Sequence, residues 1–351
     1  MNEQNYLPLA LGLVMFSFFI TAALVVPFIN FLYKIHLTRR KEAPKKGKIP
    51  LFDKLHDRKA GTPVGGGVLI IAVVALLFSI VFPVVRHFGI YIETAHNLPT
   101  ELFIIFFTFI SFGFLGLLDD VVKTFGKPNK GVLGFAFGLS RRVKFALQWV
   151  LAIIASFVIY KNLGIDIINI PMFGIVLHLG WWYIPFSAFV IVSFTNAFNI
   201  TDGLDGLSSG LLAICLSVFG IIAATGLDTP LAIFIGLWIG ALIAFLYFNI
   251  WPARIWLGDA GALSFGATLA VIGLLSGSIV ALVVIGGIFI LEIISSAVQI
   301  LGWKFLKRPI LPLAPLHNTL FARGWEEPKI VTRAWLAGII LGIFGLWLAT
   351  I

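Results

Sequence analysis

Ten long apolar runs, at 7–33, 64–84, 101–118, 144–160, 181–198, 207–225, 229–249, 261–277, 279–301 and 334–351, leave this chain few folds to choose from. A bilayer core of about 30 Å is crossed by roughly 20 helical residues, so each run reads as a transmembrane helix. Composition agrees, with 60% hydrophobic and 12% charged residues, about half the charge of an ordinary soluble chain. The longest polar stretches, 34–62 and 302–333, are too short to bury a core of their own. The expectation is an all-α integral membrane protein of about ten transmembrane helices, with residues 1–351 forming one polytopic domain. The first run is too long for a signal peptide and has no basic residue before it, so it is expected to stay as an anchor. Cys215 is the single cysteine, which excludes an intramolecular disulfide framework and a cysteine metal site.

The cations are distributed unevenly. Of 25 Lys and Arg residues, only Arg86 and Lys161 fall outside the alternate connections 34–62, 119–144, 251–259 and 302–333. The positive-inside rule therefore predicts that those connections are cytoplasmic and that both termini are extracytoplasmic. A net charge of +9 spent in this way points to the membrane surface and not to nucleic acid.

The acidic residues also take sides. Glu93, Glu101, Asp166 and Asp228 fall near the outer ends of runs, whereas Asp119, Asp120, Asp202, Asp205 and Asp259 fall at cytoplasmic ends. Burying a carboxylate in hydrocarbon costs about 3 kcal/mol, so five of them on one face predict a polar cleft open to the cytoplasm.

Four stretches carry chemistry. Leu117-Leu118-Asp119-Asp120-Val121-Val122-Lys123 places two acids side by side, tolerable at a solvated helix end or around a shared cation. In 196–207, Asn196, Asn199, Asp202 and Asp205 recur every third residue, with Gly203 and Gly206 between them. The run 249–261 holds Asn249, Pro252, Arg254, two tryptophans and Asp259, which opens a helix. Backbone N–H groups there suit a phosphate, and the Asp suits its metal, although the tryptophans also fit as interfacial anchors. The last polar loop carries His317 among Lys304, Lys307, Arg308, Arg323, Lys329 and Arg333, a set that suits an anionic ligand or lipid headgroups. Arg39-Arg40-Lys41, the glycine-rich entry from Asp57 to Gly67, and Gly138-Leu139-Ser140 with Lys144 and Gln148 border the same mouth.

In this order, Gly61-Thr62-Pro63, 119–123, 138–148, 196–207, Gly258-Asp259, Pro315-Leu316-His317, Gly324-Trp325 and Pro328 resemble the polyprenyl-phosphate N-acetylhexosamine-1-phosphate transferase superfamily. Within it they resemble most the phospho-N-acetylmuramoyl-pentapeptide transferase family. That resemblance implies a multi-pass enzyme of the inner (cytoplasmic) membrane, its active site facing the cytoplasm. It would transfer phospho-MurNAc-pentapeptide from UDP-MurNAc-pentapeptide to undecaprenyl phosphate, with Mg²⁺ as cofactor, giving lipid I and UMP. It implies catalytic roles for Asp119, Asp120, Asp259 and His317, with Asp259 the metal ligand and Asp119 a candidate base. Substrate contacts would come from Lys59, Thr62, Lys123, Lys144, Asn196, Asn199, Asp202, Asp205, Asn249 and Trp256. Of these, Asn249 and Lys59 would meet the nucleoside and Trp256 would stack on uracil. A homodimer is compatible with the resemblance.

Two departures stand out. The family usually shows three consecutive histidines, and here only the first remains, in His317-Asn318-Thr319; Gly-Asp-x-Gly-Ser becomes Gly258-Asp259-Ala260-Gly261-Ala262. The sugar nucleotide is therefore open to an alternative, a related UDP-N-acetylhexosamine transferase of teichoic acid or O-antigen synthesis. A cation-coupled transporter is the rival of another class, but transporters place ionisable groups at mid-membrane on broken helices. Here the one mid-span acid is Glu292, which reads as an internal hydrogen-bonded group.

Overall fold

The computed structural model describes residues 7–39, 59–87, 93–126, 139–226 and 228–351. Arg40, Lys41, the Asp57-Arg58 start of the glycine-rich entry and Gly138 lie outside the described residues.

The apolar runs form helices α1 (Leu7–Lys34), α2 (Gly66–His87), α3 (Leu98–Phe125), α4 (Arg141–Leu163), α5 (Tyr183–Thr201), α6 (Leu207–Thr225), α7 (Thr229–Asn249) and α8 (Gly258–Leu275). They are followed by α9 (Ile279–Ile285), α10 (Gly287–Leu301), the short α11 (Leu316–Ala322) and α12 (Glu327–Thr350). Among the described residues, 10 helices are long and apolar enough to cross a membrane. Local chemistry sets several starts: Asn97 caps α3, accepting from Thr100 N–H; Ser140 caps α4, accepting from Val143 N–H; and Asp228 caps α7, accepting from Leu231 N–H.

Four features depart from the expectation. The helix expected to end at 118 runs on to Phe125, and Asp119 and Asp120 are buried inside the protein, not solvated at a helix end. The last helix begins at Glu327, one to two turns before 334. The ninth run is broken at Gly286 into α9 and α10. Between α4 and α5 stands an antiparallel hairpin, β1 (Ile167–Ile170) with β2 (Ile175–His178), Ile167 opposite His178 and Ile170 opposite Ile175. Strands of four residues are too short to show against a helical background.

Helix α8 is the axis of the bundle. Every residue from Ala260 to Leu275 is buried, and the helix packs against α3, α5 and α2. Close approach rests on small residues. A Cβ on Gly116 of α3 would stand 2.1 Å from Asp259 O, and one on Gly67 of α2 would stand 2.2 Å from Gly261 Cα. Phe109, Trp238 and Phe265 bind α3, α7 and α8 edge to face, with centroids 5.1 Å apart for Phe109–Trp238 and for Trp238–Phe265. The outward faces are apolar, as Phe16 and Phe19 on α1 and Ile340 and Ile343 on α12 show, as a lipid-facing surface requires. Because Gly116 meets Asp259, the end of α3 and the start of α8 share one end of the bundle.

Candidate active site

Helix α8 has no capping side chain of its own, since Leu257 precedes it. Asp120 supplies the cap from α3: its two carboxylate oxygens accept the N–H groups of Asp259 and Ala260, both at 3.1 Å. A carboxylate at this point satisfies orphan donors and complements the positive end of the helix dipole. Asp120 therefore fixes where Asp259 stands.

Asp259 faces two ammonium groups. Lys123 Nζ lies 2.7 Å from its Oδ2, and Lys144 Nζ donates to the same oxygen. Both lysines also bind Asp119 Oδ2, Lys144 at 2.9 Å and Lys123 at 3.0 Å, while Asp119 Oδ1 accepts Leu139 N–H at 2.7 Å. Two carboxylates and two ammonium groups thus form one neutral cluster built by α3, α4 and α8. Asp119 is buried and Asp259 and Lys144 are mostly so, whereas Lys123 is 42% exposed; unpaired, the buried charges would cost several kcal/mol each, which mutual pairing offsets. Gln148, one turn beyond Lys144, accepts from Asn196 Nδ2 at 2.8 Å and ties α5 to the same corner.

The turn from α5 to α6 brings the remaining acids. Asp202 accepts from Ser208 Oγ at 2.5 Å. Burial pushes its carboxyl up to about 7; the Ser208 hydrogen bond pulls it down, and the charge of Asp259 adds to the rise. Asp205 is committed to the protein: Oδ1 pairs with Lys59 Nζ at 2.9 Å, and Oδ2 accepts Ala253 N–H at 2.9 Å. Glu327, at the start of α12, completes this group by accepting from Lys59 Nζ and from Asp205 N–H. Asn249 is similarly occupied, its Oδ1 accepting from Ser209 Oγ and its Nδ2 donating to Ile255 O, and it is 2% exposed. Asn199, on α5, is half-buried, and its side chain makes no hydrogen bond among the described residues.

A backbone strap seats the glycine-rich entry against the α7–α8 connection. Trp256 N–H donates to Pro63 O, and Gly65 and Gly66 N–H donate to Trp256 O. Thr62 O accepts Arg39 N–H on the other side. The Trp256 ring is 6% exposed, with Arg39 at 5.2 Å and Lys59 at 4.9 Å from its centroid. The indole expected to present an open face to a base is covered by cations here, an arrangement that cation–π attraction stabilises.

His317 enters from α11. It is 2% exposed, its Nδ1 lies 3.1 Å from Glu292 Oε2, and its Nε2 has no hydrogen-bond partner. A Cβ on Gly203 would stand 2.5 Å from that Nε2, so the imidazole packs on the turn that bears Asp202. The structure thus brings Asp119, Asp120, Lys123, Lys144 and Asp259 together directly, and attaches Asp202, Asp205, Lys59, Trp256 and His317 around them. The motif reading did not assign Glu327 a part; the only signal was an acid at a helix start before Pro328.

Comparison with known proteins gives a consistent result. Residues 102–277 match the family described as glycosyl transferase family 4. The phospho-N-acetylmuramoyl-pentapeptide-transferase of Oceanobacillus iheyensis is 32% identical over 95% of this chain and 96% of its own length. The proteins of the same name from Bacillus pumilus and Bacillus subtilis are each 33% identical, covering 95% and 93% of this chain and 96% and 92% of their own.

Proposed function

The chain belongs to glycosyl transferase family 4, and on that premise we propose that it transfers phospho-MurNAc-pentapeptide from UDP to undecaprenyl phosphate in peptidoglycan synthesis. The observation that carries the reading is the Asp119–Lys123–Lys144–Asp259 cluster at one end of a membrane bundle, with His317 and the Asp202 turn set around it. The basic loops support a cytoplasmic side for that end, where a soluble nucleotide and a lipid phosphate would meet.

The residues fit a Mg²⁺ ion. Among the described residues no three His, Cys, Asp or Glu side chains form a cage, and Mg²⁺ is usually held by one or two carboxylates, waters and substrate phosphates. Asp259, paired through shared cations with Asp119, is a donor set of that kind. The chemistry such an ion supplies is neutralisation of the diphosphate and of the departing UMP. Asp259 would hold it, with Asp119 alongside.

The chain's own groups do the rest. An oxygen of the lipid phosphate forms a bond to the β-phosphorus as the bond to the α-phosphate oxygen breaks, and UMP leaves with the electron pair. Lys123 and Lys144 lower the repulsion between the two anions, since each already bridges two carboxylates and can exchange one for a phosphate oxygen. A phosphate monoester has a second pKa near 6, so the nucleophile is mostly ionised at neutral pH. Asp119, whose oxygens already accept from Leu139 N–H and both lysines, serves better as a positioning anion than as a base. Asn196, Asn199, Asp202 and Thr62 line the nucleotide side; Asp205, Asn249 and Lys59 shape it by holding loop to helix.

Purified protein given UDP-MurNAc-pentapeptide, undecaprenyl phosphate and Mg²⁺ is expected to release UMP, and chelator is expected to stop it. Release with UDP-N-acetylglucosamine instead would move the assignment to the neighbouring branch. Undiminished release with excess chelator would remove the metal from the mechanism.

A further inference from the structure

His317 is held from one helix face. On α10, Glu292, Ser295 and Gln299 lie along one stripe and grip the incoming loop: Ser295 Oγ accepts Leu316 N–H at 2.9 Å, and Gln299 Oε1 accepts Ile310 and Leu311 N–H at 3.1 and 2.9 Å. Glu292 goes further than its neighbours. It accepts the backbone N–H of His317, at 3.2 Å on Oε1 and 3.3 Å on Oε2, and also faces the imidazole Nδ1 at 3.1 Å on Oε2. Glu292 is 4% exposed and His317 2%, so no bulk water competes for these contacts.

Both Glu292 oxygens accept the His317 backbone N–H, so Glu292 meets the ring as an acceptor and the nitrogen facing it carries the hydrogen. That fixes the tautomer as Nδ1–H and turns Nε2 away from Glu292. Nε2 is left with no partner, against Gly203 and the turn bearing Asp202. A buried polar atom without a partner at the edge of a charged cleft is one that a ligand would satisfy.

We propose that Glu292 is a positioning residue for the transfer: it holds His317 with Nδ1–H toward its carboxylate, so that Nε2 takes a proton from solvent as the anionic nucleotide binds and donates that N–H to a phosphate oxygen. This rests on the transferase reading for the identity of the phosphate, but the tautomer itself does not. The arrangement follows a general rule: a carboxylate behind a working histidine sets both its orientation and which nitrogen meets the reactant. Nothing in the sequence pattern around Glu292 shows this, because its partner lies 25 residues away across a loop.

The test uses the full-length protein in micelles with ¹⁵N-labelled histidine, the His317 resonances being assigned by their loss in His317→Gln. The wild-type spectrum is expected to show a protonated Nδ1. In Glu292→Gln the backbone N–H can only donate, so it takes the amide oxygen and the amide NH₂ faces Nδ1. The ring is then expected to switch to Nε2–H, which can donate to the phosphate only as a neutral group without the carboxylate that stabilises the imidazolium, and kcat to fall by roughly 10-fold or more with little change in KM for the UDP-sugar. Ser295→Ala removes an acceptor from the same loop without touching the ring, and is expected to keep both the tautomer and kcat. A wild-type Nε2–H tautomer, an unchanged tautomer in Glu292→Gln, or an equal loss of kcat in Ser295→Ala would each overturn the proposal. Should Glu292→Gln fail to fold, the wild-type spectrum still decides. A protein with the expected tautomer and no transferase activity would instead refute the proposed function.

Discussion

At the scale of single residues, the charges at the end of α3 do different work although they are adjacent. Asp119 and Asp259 share two lysines, whereas Asp120 spends both oxygens on backbone N–H groups. Asp259→Asn is expected to lower kcat by about 100-fold or more, since it removes charge from the reacting centre. It also leaves two ammonium groups facing one carboxylate, so a loss of roughly 3 kcal/mol in stability should accompany it; paired turnover and thermal unfolding measurements check both. Asp202 makes a prediction of opposite sign. Its carboxyl is raised from 3.8 to about 7, so between those values the folded state binds a proton that the unfolded state has lost. Stability attributable to Asp202 therefore falls as pH rises from about 4 to about 7. Asp202→Asn, which mimics the protonated form, should unfold at a higher temperature than wild type at pH 8, with the difference closing toward pH 4. A constant difference across that range would show that burial does not perturb this group. The residue types of the cluster were legible from their order along the chain. Their partners were not: the Lys59–Glu327 pair joins residues 268 positions apart, and no local pattern encodes it.

At the scale of elements, hydropathy locates helices by what lipid tolerates and misses what protein can bury. Hydropathy ends α3 at 118 for this reason, whereas the helix runs to Phe125. Asp119, Asp120 and Lys123 look like solvated polar residues in sequence, yet each has its partner on a neighbouring helix. The break at Gly286 and the hairpin at 167–178 escaped for a simpler reason, being shorter than the window that apolar periodicity needs. The element that most depends on another is α8, whose N-terminus is capped from outside. Asp120→Ala would leave the Asp259 and Ala260 N–H groups without partners, and a lost cap costs about 1–2 kcal/mol. The expected result is a modest loss of thermal stability with a larger loss of activity, because the start of α8 carries Asp259. Asp120→Asn, which keeps one acceptor oxygen, should recover most of the stability. Equal stability in wild type and Asp120→Ala would mean that α8 does not rely on this contact.

At the scale of the whole molecule, the fold class follows from the ten apolar runs, and the clustering of the acids at the Asp259 end of the bundle follows from the cost of leaving them in hydrocarbon. Orientation rests on the distribution of lysine and arginine, and the chain offers a clean way to measure it. Its single native thiol, Cys215, is 2% exposed, so an introduced cysteine can be labelled over little background. Phe173, at the turn of the hairpin, is 73% exposed and sits on the connection between α4 and α5. Arg308 is exposed on the loop that leads to His317. Intact cells carrying Phe173→Cys are expected to react with a membrane-impermeant maleimide, and cells carrying Arg308→Cys to react only once permeabilised. The reverse pattern would put the charged cluster outside the cell, because the Arg308 loop delivers the His317 imidazole onto the Gly203 turn beside it. A nucleotide-dependent reaction drawing on cytoplasmic substrate would then be impossible at this site. The accessibility of one loop therefore bears on the proposed chemistry as directly as an assay of turnover does.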